Sequence, residues 1–208
     1  MIELHTTATA NGYKASIMLE EVGLPYRVVA YDLTRGEHLQ PAYLELNPVG
    51  RLPLIVDDCD GERISVYGTA AIVLYVAEKT GRLLPAAPAA RAKVYEWLGI
   101  VASDIAPAYS GQFVFNVLLP EKIPAAIDYF DKLCLRLLAA METQLGRSAY
   151  LAGSEYTIAD VLAYPVAATS MRRFPGDFSA HPHIGRWASQ VGARPAVERG
   201  MRVPAPSS

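Results

Sequence analysis

No stretch of this chain approaches the ~20 consecutive apolar residues that a bilayer-spanning helix requires, although 51% of its residues are hydrophobic. A membrane span is therefore not expected, and a soluble protein is. Excess charge of one sign is also missing. Lys and Arg number 19 against 21 Asp and Glu, the signs are interspersed and the formal net charge is -2, which argues against the dense basic face that nucleic acid or an anionic membrane would need. Cysteine is scarce. Cys59 and Cys134 stand far apart, in neither a C-x-x-C nor a zinc-ligand spacing, and among the histidines only His181 and His183 are close together, so no metal site is expected. Met1 to His5 shows no basic stretch followed by an apolar core, and with no secretory or transit signal in view the expected compartment is the cytoplasm. What survives these absences is small-molecule chemistry or protein partners.

The 208 residues suit two compact units, and the patterning changes character part way along. Ile2 and Leu4 open a short alternating strand. After polar residues 6–12, Ala15, Met18, Leu19 and Val22 fall at helical spacing until Gly23 stops them. Residues 26–31 read as a second strand, followed by a polar loop over 32–40 and, through Pro41, a short helical piece ending near Asn47. Apolar runs at 54–56 and 64–67 flank the turn-forming Asp57-Asp58-Cys59-Asp60-Gly61 as a hairpin, and a helix follows over 69–79. The order is βαβ, then ββα.

Gly81, Pro85 and Pro88 mark a boundary, beyond which every long pattern is helical. Domains over 1–80 and 88–202 are expected. Ile127, Phe130, Cys134, Leu137, Met141 and Leu145 step by three and four as the buried stripe of one long helix. Thr157 and Asp160 have capping-box spacing, with Tyr156 and Val161 as the staple around the cap. The Pro/Ser-rich tail over 203–208 is expected to be disordered.

Four stretches carry a resemblance. Asn47-Pro48-Val49-Gly50-Arg51-Leu52-Pro53 matches N-P-x-G-x-[VIL]-P, Tyr67-Gly68-Thr69-Ala70-Ala71-Ile72 stands where E-S-x-A-I would, Tyr150-Leu151-Ala152-Gly153 through Thr157-Ile158-Ala159-Asp160 matches a capping segment, and Pro182 to Trp187 with Arg194-Pro195-Ala196-Val197 match two terminal helices. Together these resemble the glutathione S-transferase superfamily over nearly the whole chain. The resemblance implies a thioredoxin-like N-terminal domain with a mixed four-stranded sheet, an all-helical C-terminal domain, glutathione as co-substrate, a small apolar or electrophilic second substrate and a homodimer. It implies a cis Pro53 that turns Leu52 outward to pair with the cysteinyl part of glutathione, and a γ-glutamyl carboxylate held at a helix N-terminus that Thr69 caps. Gly68 replaces the acidic residue that would meet the γ-glutamyl ammonium.

Thr9-Ala10-Asn11-Gly12 is similar to the T-P-N-G loop of the Nu class and its yeast prion relative, with weaker matches at Asp32-Leu33, Gly36, Trp97-Leu98, Pro107 and Gly111-Gln112. In that class the glutathione thiol is activated near the loop Thr and Asn, which gives Thr9 and Asn11. Arg136, fourteen residues before Tyr150, stands where that class places an Arg at the ligand's charged end. His38 and Arg51 are the candidates for the glycyl carboxylate. The activity implied is conjugation of glutathione to an electrophile, or disulfide and peroxide reduction; the alternative is a binding or regulatory module of the same fold.

Each residue also has a plainer reading. Thr9 and Asn11 suit helix capping; Tyr13, the other hydroxyl of this segment, suits an amphipathic surface. His38 and Arg51 suit solvent. Trp97, Tyr109, Phe113 and Phe115 offer an aromatic wall to a second substrate or serve as core. Cys59, among Asp57, Asp58 and Asp60, is expected to be inert because acidic neighbours oppose a thiolate, and Cys134 to be core.

Overall fold

The structure is a computed structural model and describes residues 1–59 and 61–205. Asp60, counted above among the neighbours of Cys59, and residues 206–208 of the tail lie outside the described residues. The chain divides into two compact units, Met1–Leu83 with Ala193–Ser208, and Leu84–Gly192.

The elements run in the expected order. β1 (Ile2–Thr6), α1 (Ala10–Val22) and β2 (Tyr26–Ala30) form a βαβ unit; a single 3-10 turn (Glu37–Leu39) and α2 (Pro41–Leu44) lead to the hairpin β3 (Leu54–Cys59) and β4 (Glu62–Tyr67), then α3 (Thr69–Thr80). In the second unit α4 (Pro88–Ile100) and α5 (Ala106–Phe113) are joined and followed by π-helical turns at Val101–Ile105 and Val114–Leu118, before α6 (Pro124–Leu145), α7 (Ile158–Arg173), α8 (Pro175–Phe178) and α9 (Pro182–Gly192). The last helix, α10 (Pro195–Gly200), returns to the first unit.

The sheet order is β2-β1-β3-β4. β1 runs parallel to β2, while β3 is antiparallel to both β1 and β4. This is the thioredoxin-like arrangement, with a helical domain after it. Its core is built from Leu4, Ile17, Leu54, Ile55, Ile72 and Val76, each fully buried, and burying such side chains is the main favourable term of folding.

α1 is buried nearly all round, and three of its buried residues are polar: Lys14, Ser16 and Glu21. Two of them meet the C-terminal segment. Ser16 Oγ donates to the Gly200 carbonyl at 2.7 Å, and the Glu21 carboxylate accepts from Arg194 Nε at 2.7 Å and Nη2 at 2.8 Å. A side chain at Gly200 would press on the Ile17 backbone, so glycine there permits the close approach of α10.

In the second unit the capping box is present. Asp160 Oδ2 accepts the Thr157 N–H at 3.0 Å and Thr157 Oγ1 accepts the Ala159 N–H at 3.3 Å. Asp160 is wholly buried, and its Oδ1 also accepts from Leu151 N–H at 3.0 Å and Trp187 Nε1 at 2.9 Å. The carboxylate thereby ties a loop and two helices together. The buried stripe of α6 is Cys134, Leu138, Met141 and Leu145; Leu138 takes the place expected of Leu137, which is half-buried together with Ile127 and Phe130. Among the described residues no helix is long and apolar enough to cross a membrane.

Candidate functional site

Strand register assembles the site. His5 pairs with Leu54, and Leu54 with Tyr67, so the end of β1, the start of β3 and the end of β4 lie abreast. Thr6 pairs with Ala30, which brings the end of β2 to the same edge. Four loops therefore leave the sheet side by side: 7–9 with Thr9, 31–40 with His38, 47–53 with Arg51, Leu52 and Pro53, and Gly68-Thr69. Strands are spaced about 4.8 Å apart, so β1 to β4 spans roughly 10 Å, about the reach of an extended tripeptide.

Asn47, 1% exposed, shapes the third loop with both ends of its amide. Oδ1 accepts the Val49 N–H at 3.0 Å and Nδ2 donates to the Arg51 carbonyl at 2.7 Å. Tyr43 donates to the same carbonyl at 2.6 Å, and burial pushes its hydroxyl up to about 12. The Leu52 side chain packs on Tyr43, Leu54 and Val56. Its backbone N–H and C=O have no partner among the described residues. A half-buried side chain under unpaired backbone groups presents a strand edge to a ligand. The Leu52-Pro53 peptide is cis, as expected.

Thr9 is the N-cap of α1, its Oγ1 accepting the Gly12 N–H at 3.2 Å. Asn11, the better cap on residue type, lies inside the first turn instead, and its Oδ1 accepts from Lys14 Nζ at 2.9 Å. A side chain at Gly12 would collide with the Thr7 carbonyl, so the loop folds tightly against the helix start. With the oxygen of Thr9 accepting and that of Asn11 taken, the O–H of Thr9 and the NH2 of Asn11 remain as donors beside the positive end of α1.

At α3 the expectation needs correcting: Gly68 is the N-cap, at φ 85° and ψ 120° and without a side-chain bond, and Thr69 is the first helical residue. Thr69 therefore caps nothing. The first main-chain bond of the helix runs from Ile72 N–H to the Gly68 carbonyl at 3.0 Å, so the N–H groups of residues 69–71 are available to an anion.

His38 sits half-buried in the 3-10 turn, its Nδ1 out of solvent and without a hydrogen-bond partner among the described residues, and Arg51 is exposed. Arg136 lies exposed on α6, in the second unit. Of the expected aromatic wall, Trp97 and Tyr109 are core, each 6% exposed. Phe113 lies under the Arg173 guanidinium at 4.1 Å and Phe115 stacks on Phe130 at 5.3 Å. Cys134 is fully buried and its thiol is pushed up to about 12 by that burial. Cys59 has a cation beside it that its acidic sequence neighbours did not reveal, Lys79 Nζ at 3.4 Å from Sγ. Among the described residues no His, Cys, Asp and Glu cluster is arranged to hold a metal.

Lys14 is the residue that sequence reasoning missed. It flanks the apolar positions of α1 and reads there as surface; the one signal was its spacing of three from Asn11, which puts the pair on one helix face.

Comparison with known proteins identifies the family. Residues 10–79 match the model of the glutathione S-transferase N-terminal domain, and 105–195 that of the C-terminal domain. The disulfide-bond oxidoreductase YfcG of Escherichia coli is 33% identical over 205 residues, covering 97% of this chain and 94% of that protein. A glutathione transferase of Burkholderia graminis, solved with two glutathione molecules bound per subunit, superposes with a TM-score of 0.93 at 29% identity, covering 99% of this chain and 89% of that one. One from Pseudomonas putida, solved with a glutathione disulfide bound per subunit, gives 0.92 at 28% identity over 98% and 91%. The chain belongs to the glutathione S-transferase family.

Proposed function

We propose that this chain is a cytoplasmic glutathione transferase of the Nu class, with glutathione as co-substrate and no metal. The unpaired backbone of Leu52 carries the reading: it is a ready partner for the cysteinyl N–H and C=O of an extended tripeptide. On this reading the γ-glutamyl carboxylate meets Thr69 and the first turn of α3, the glycyl carboxylate meets His38 and Arg51, and Arg136 meets the ligand's charged end. Residues 1–80 hold glutathione and 88–202 shape the site of an apolar or electrophilic co-substrate. Thr9 and Asn11 donate to the glutathione sulfur, and with the α1 N-terminus they favour its thiolate. The Thr9-Ala10-Asn11-Gly12 loop supports the class, as does the oxidoreductase name of the Escherichia coli relative. A homodimer fits the exposed Tyr95 and Tyr129, at 42% and 62%.

The protein forms no covalent bond in this scheme; it positions a nucleophile. With an electrophile the thiolate sulfur bonds to carbon and the leaving group departs. With a mixed glutathione disulfide the thiolate attacks the glutathione sulfur, the old S–S bond breaks, glutathione disulfide forms and the expelled thiolate takes a proton from water. With a peroxide the thiolate attacks an oxygen, the O–O bond breaks, and the alkoxide takes a proton and leaves as alcohol. A second glutathione thiolate then displaces hydroxide, released as water, from the resulting sulfenic acid to give glutathione disulfide.

Gly68 favours a second reading, a binding or regulatory module, since it offers no carboxylate to the γ-glutamyl ammonium. Retention on immobilised glutathione, followed by assays with a model electrophile and a mixed glutathione disulfide, separates the two. Retention with turnover is expected. Retention without turnover establishes the module, and failure to be retained contradicts both.

A further inference from the structure

Lys14 is 1% exposed. Buried charges are normally paired with opposite charges, yet among the described residues the Lys14 ammonium has no carboxylate within ion-pair distance, and its hydrogen bond goes to Asn11 Oδ1 at 2.9 Å. The placement is unfavourable on a second count. Lys14 lies near the N-terminus of α1, where the helix dipole repels a cation. Its burial also pulls the ammonium down to about 8. Asn11, by contrast, is exposed. An ammonium carried at such disadvantage, and directed at one exposed amide, calls for an explanation beyond packing.

Hydrogen-bond chemistry supplies one. A lysine ammonium only donates, so the Asn11 atom it faces must be the carbonyl oxygen, and the amide cannot turn over without setting NH2 against ammonium. The NH2 group, with two donors, is left as the free end. A sulfur anion needs donors of this kind already oriented before it forms. We infer that Lys14 is a positioning residue, which through its bond to Asn11 Oδ1 holds the Asn11 NH2 as a fixed donor toward the thiol of the bound substrate. The inference rests on the glutathione reading above and adds to it the residue that sets the orientation of Asn11. The field of the buried ammonium, one helical turn from the donor, favours an anion at the same place.

Lys14→Met, Asn11→Ala and the double variant form the test, read by glutathione affinity in calorimetry, by the ultraviolet thiolate band of bound glutathione at fixed pH, and by kcat and KM. Wild type that does not bind glutathione would remove the underlying reading; the inference itself is judged where wild type binds. Lys14→Met is expected to lower the thiolate band and kcat by about ten- to a hundredfold while KM for glutathione changes less than about threefold. In the Asn11→Ala background the same change should have little further effect, because the two residues act as one unit. A thiolate band in Lys14→Met equal to wild type, or full losses from Lys14→Met in both backgrounds, would overturn the inference. If Lys14→Met does not fold, Asn11→Asp decides: it keeps an acceptor for Lys14 but has no NH2, so melting temperature should hold or rise while the thiolate band falls at least about tenfold. A lowered melting temperature or an undiminished band would overturn it.

Discussion

Arg194 grips Glu21 with both arms of its guanidinium, Nε to Oε1 at 2.7 Å and Nη2 to Oε2 at 2.8 Å. The Glu21 side chain is 6% exposed and that of Arg194 34%, so removing the arginine strands a buried carboxylate. Arg194→Ala should cost about 2–4 kcal/mol, within the range for breaking a largely buried pair. Urea denaturation of wild type and variant gives the difference directly, and a loss under about 0.5 kcal/mol would mark the pair as solvent-screened.

A second buried acid sets a pH dependence. Burial raises the Asp57 carboxyl, but hydrogen bonds from Lys79 and Tyr75, each at 2.8 Å, and the Lys79 charge outweigh it and hold the group below its ordinary value. A carboxyl lowered in the folded state adds stability above its unfolded value of about 4, and that stability is lost as pH falls through the folded value. Asp57→Asn should therefore be less stable than wild type at neutral pH, by about 1–3 kcal/mol, with the gap narrowing below about pH 4. A gap that stays constant down to pH 2 would show that Asp57 carries no such linkage.

Gly68 departs from the family pattern, and its backbone gives a reason: φ is 85° and ψ 120°, a region costly to any residue with a Cβ, although a Cβ there would meet open space. Gly68→Ala should destabilise the fold by about 1–3 kcal/mol through backbone strain alone. Gly68→Glu carries the same strain and adds a carboxylate. Measured against Gly68→Ala, it should bind glutathione about tenfold more tightly, and the gain should vanish for a glutathione acetylated on its amine. Equal binding by the two variants would mean that the ammonium is already satisfied.

Thr69 separates binding from stability. Because it does not cap α3, Thr69→Ala should leave the melting temperature within about 2 °C of wild type while weakening glutathione by about five- to tenfold through the lost hydroxyl. Calorimetry and thermal melts on the same samples check both halves; equal affinities would remove Thr69 from the site.

Much of this was legible in the sequence. The shift from alternating to helical periodicity, with the Asn47 to Pro53 motif, identified the sheet, the helical half and the loop bearing Leu52, because those signals are local. The Thr157 and Asp160 box was legible for the same reason. What escaped depends on contacts between distant segments or on backbone angles. The Arg194-Pro195 motif was visible, whereas the return of Arg194 to Glu21 was not. Residue preference pointed to Asn11 as well as Thr9 as a cap and could not foresee that Lys14 would take the Asn11 oxygen. The positive φ of Gly68 moved the cap of α3 from Thr69 by one residue, and Lys79 beside Cys59 arrives from a helix twenty residues on.

The central claim is that the Thr9 and Asn11 donors at the start of α1 turn bound glutathione into a thiolate. The direct measurement is the ultraviolet titration of the bound thiol in wild type and in Thr9→Ala and Asn11→Ala. The account predicts a thiol in the wild-type complex about two units below the ordinary cysteine value of about 8.5, with most of that shift lost in each variant. A bound thiol that titrates like free glutathione, or a lowered value that survives both substitutions, would contradict it.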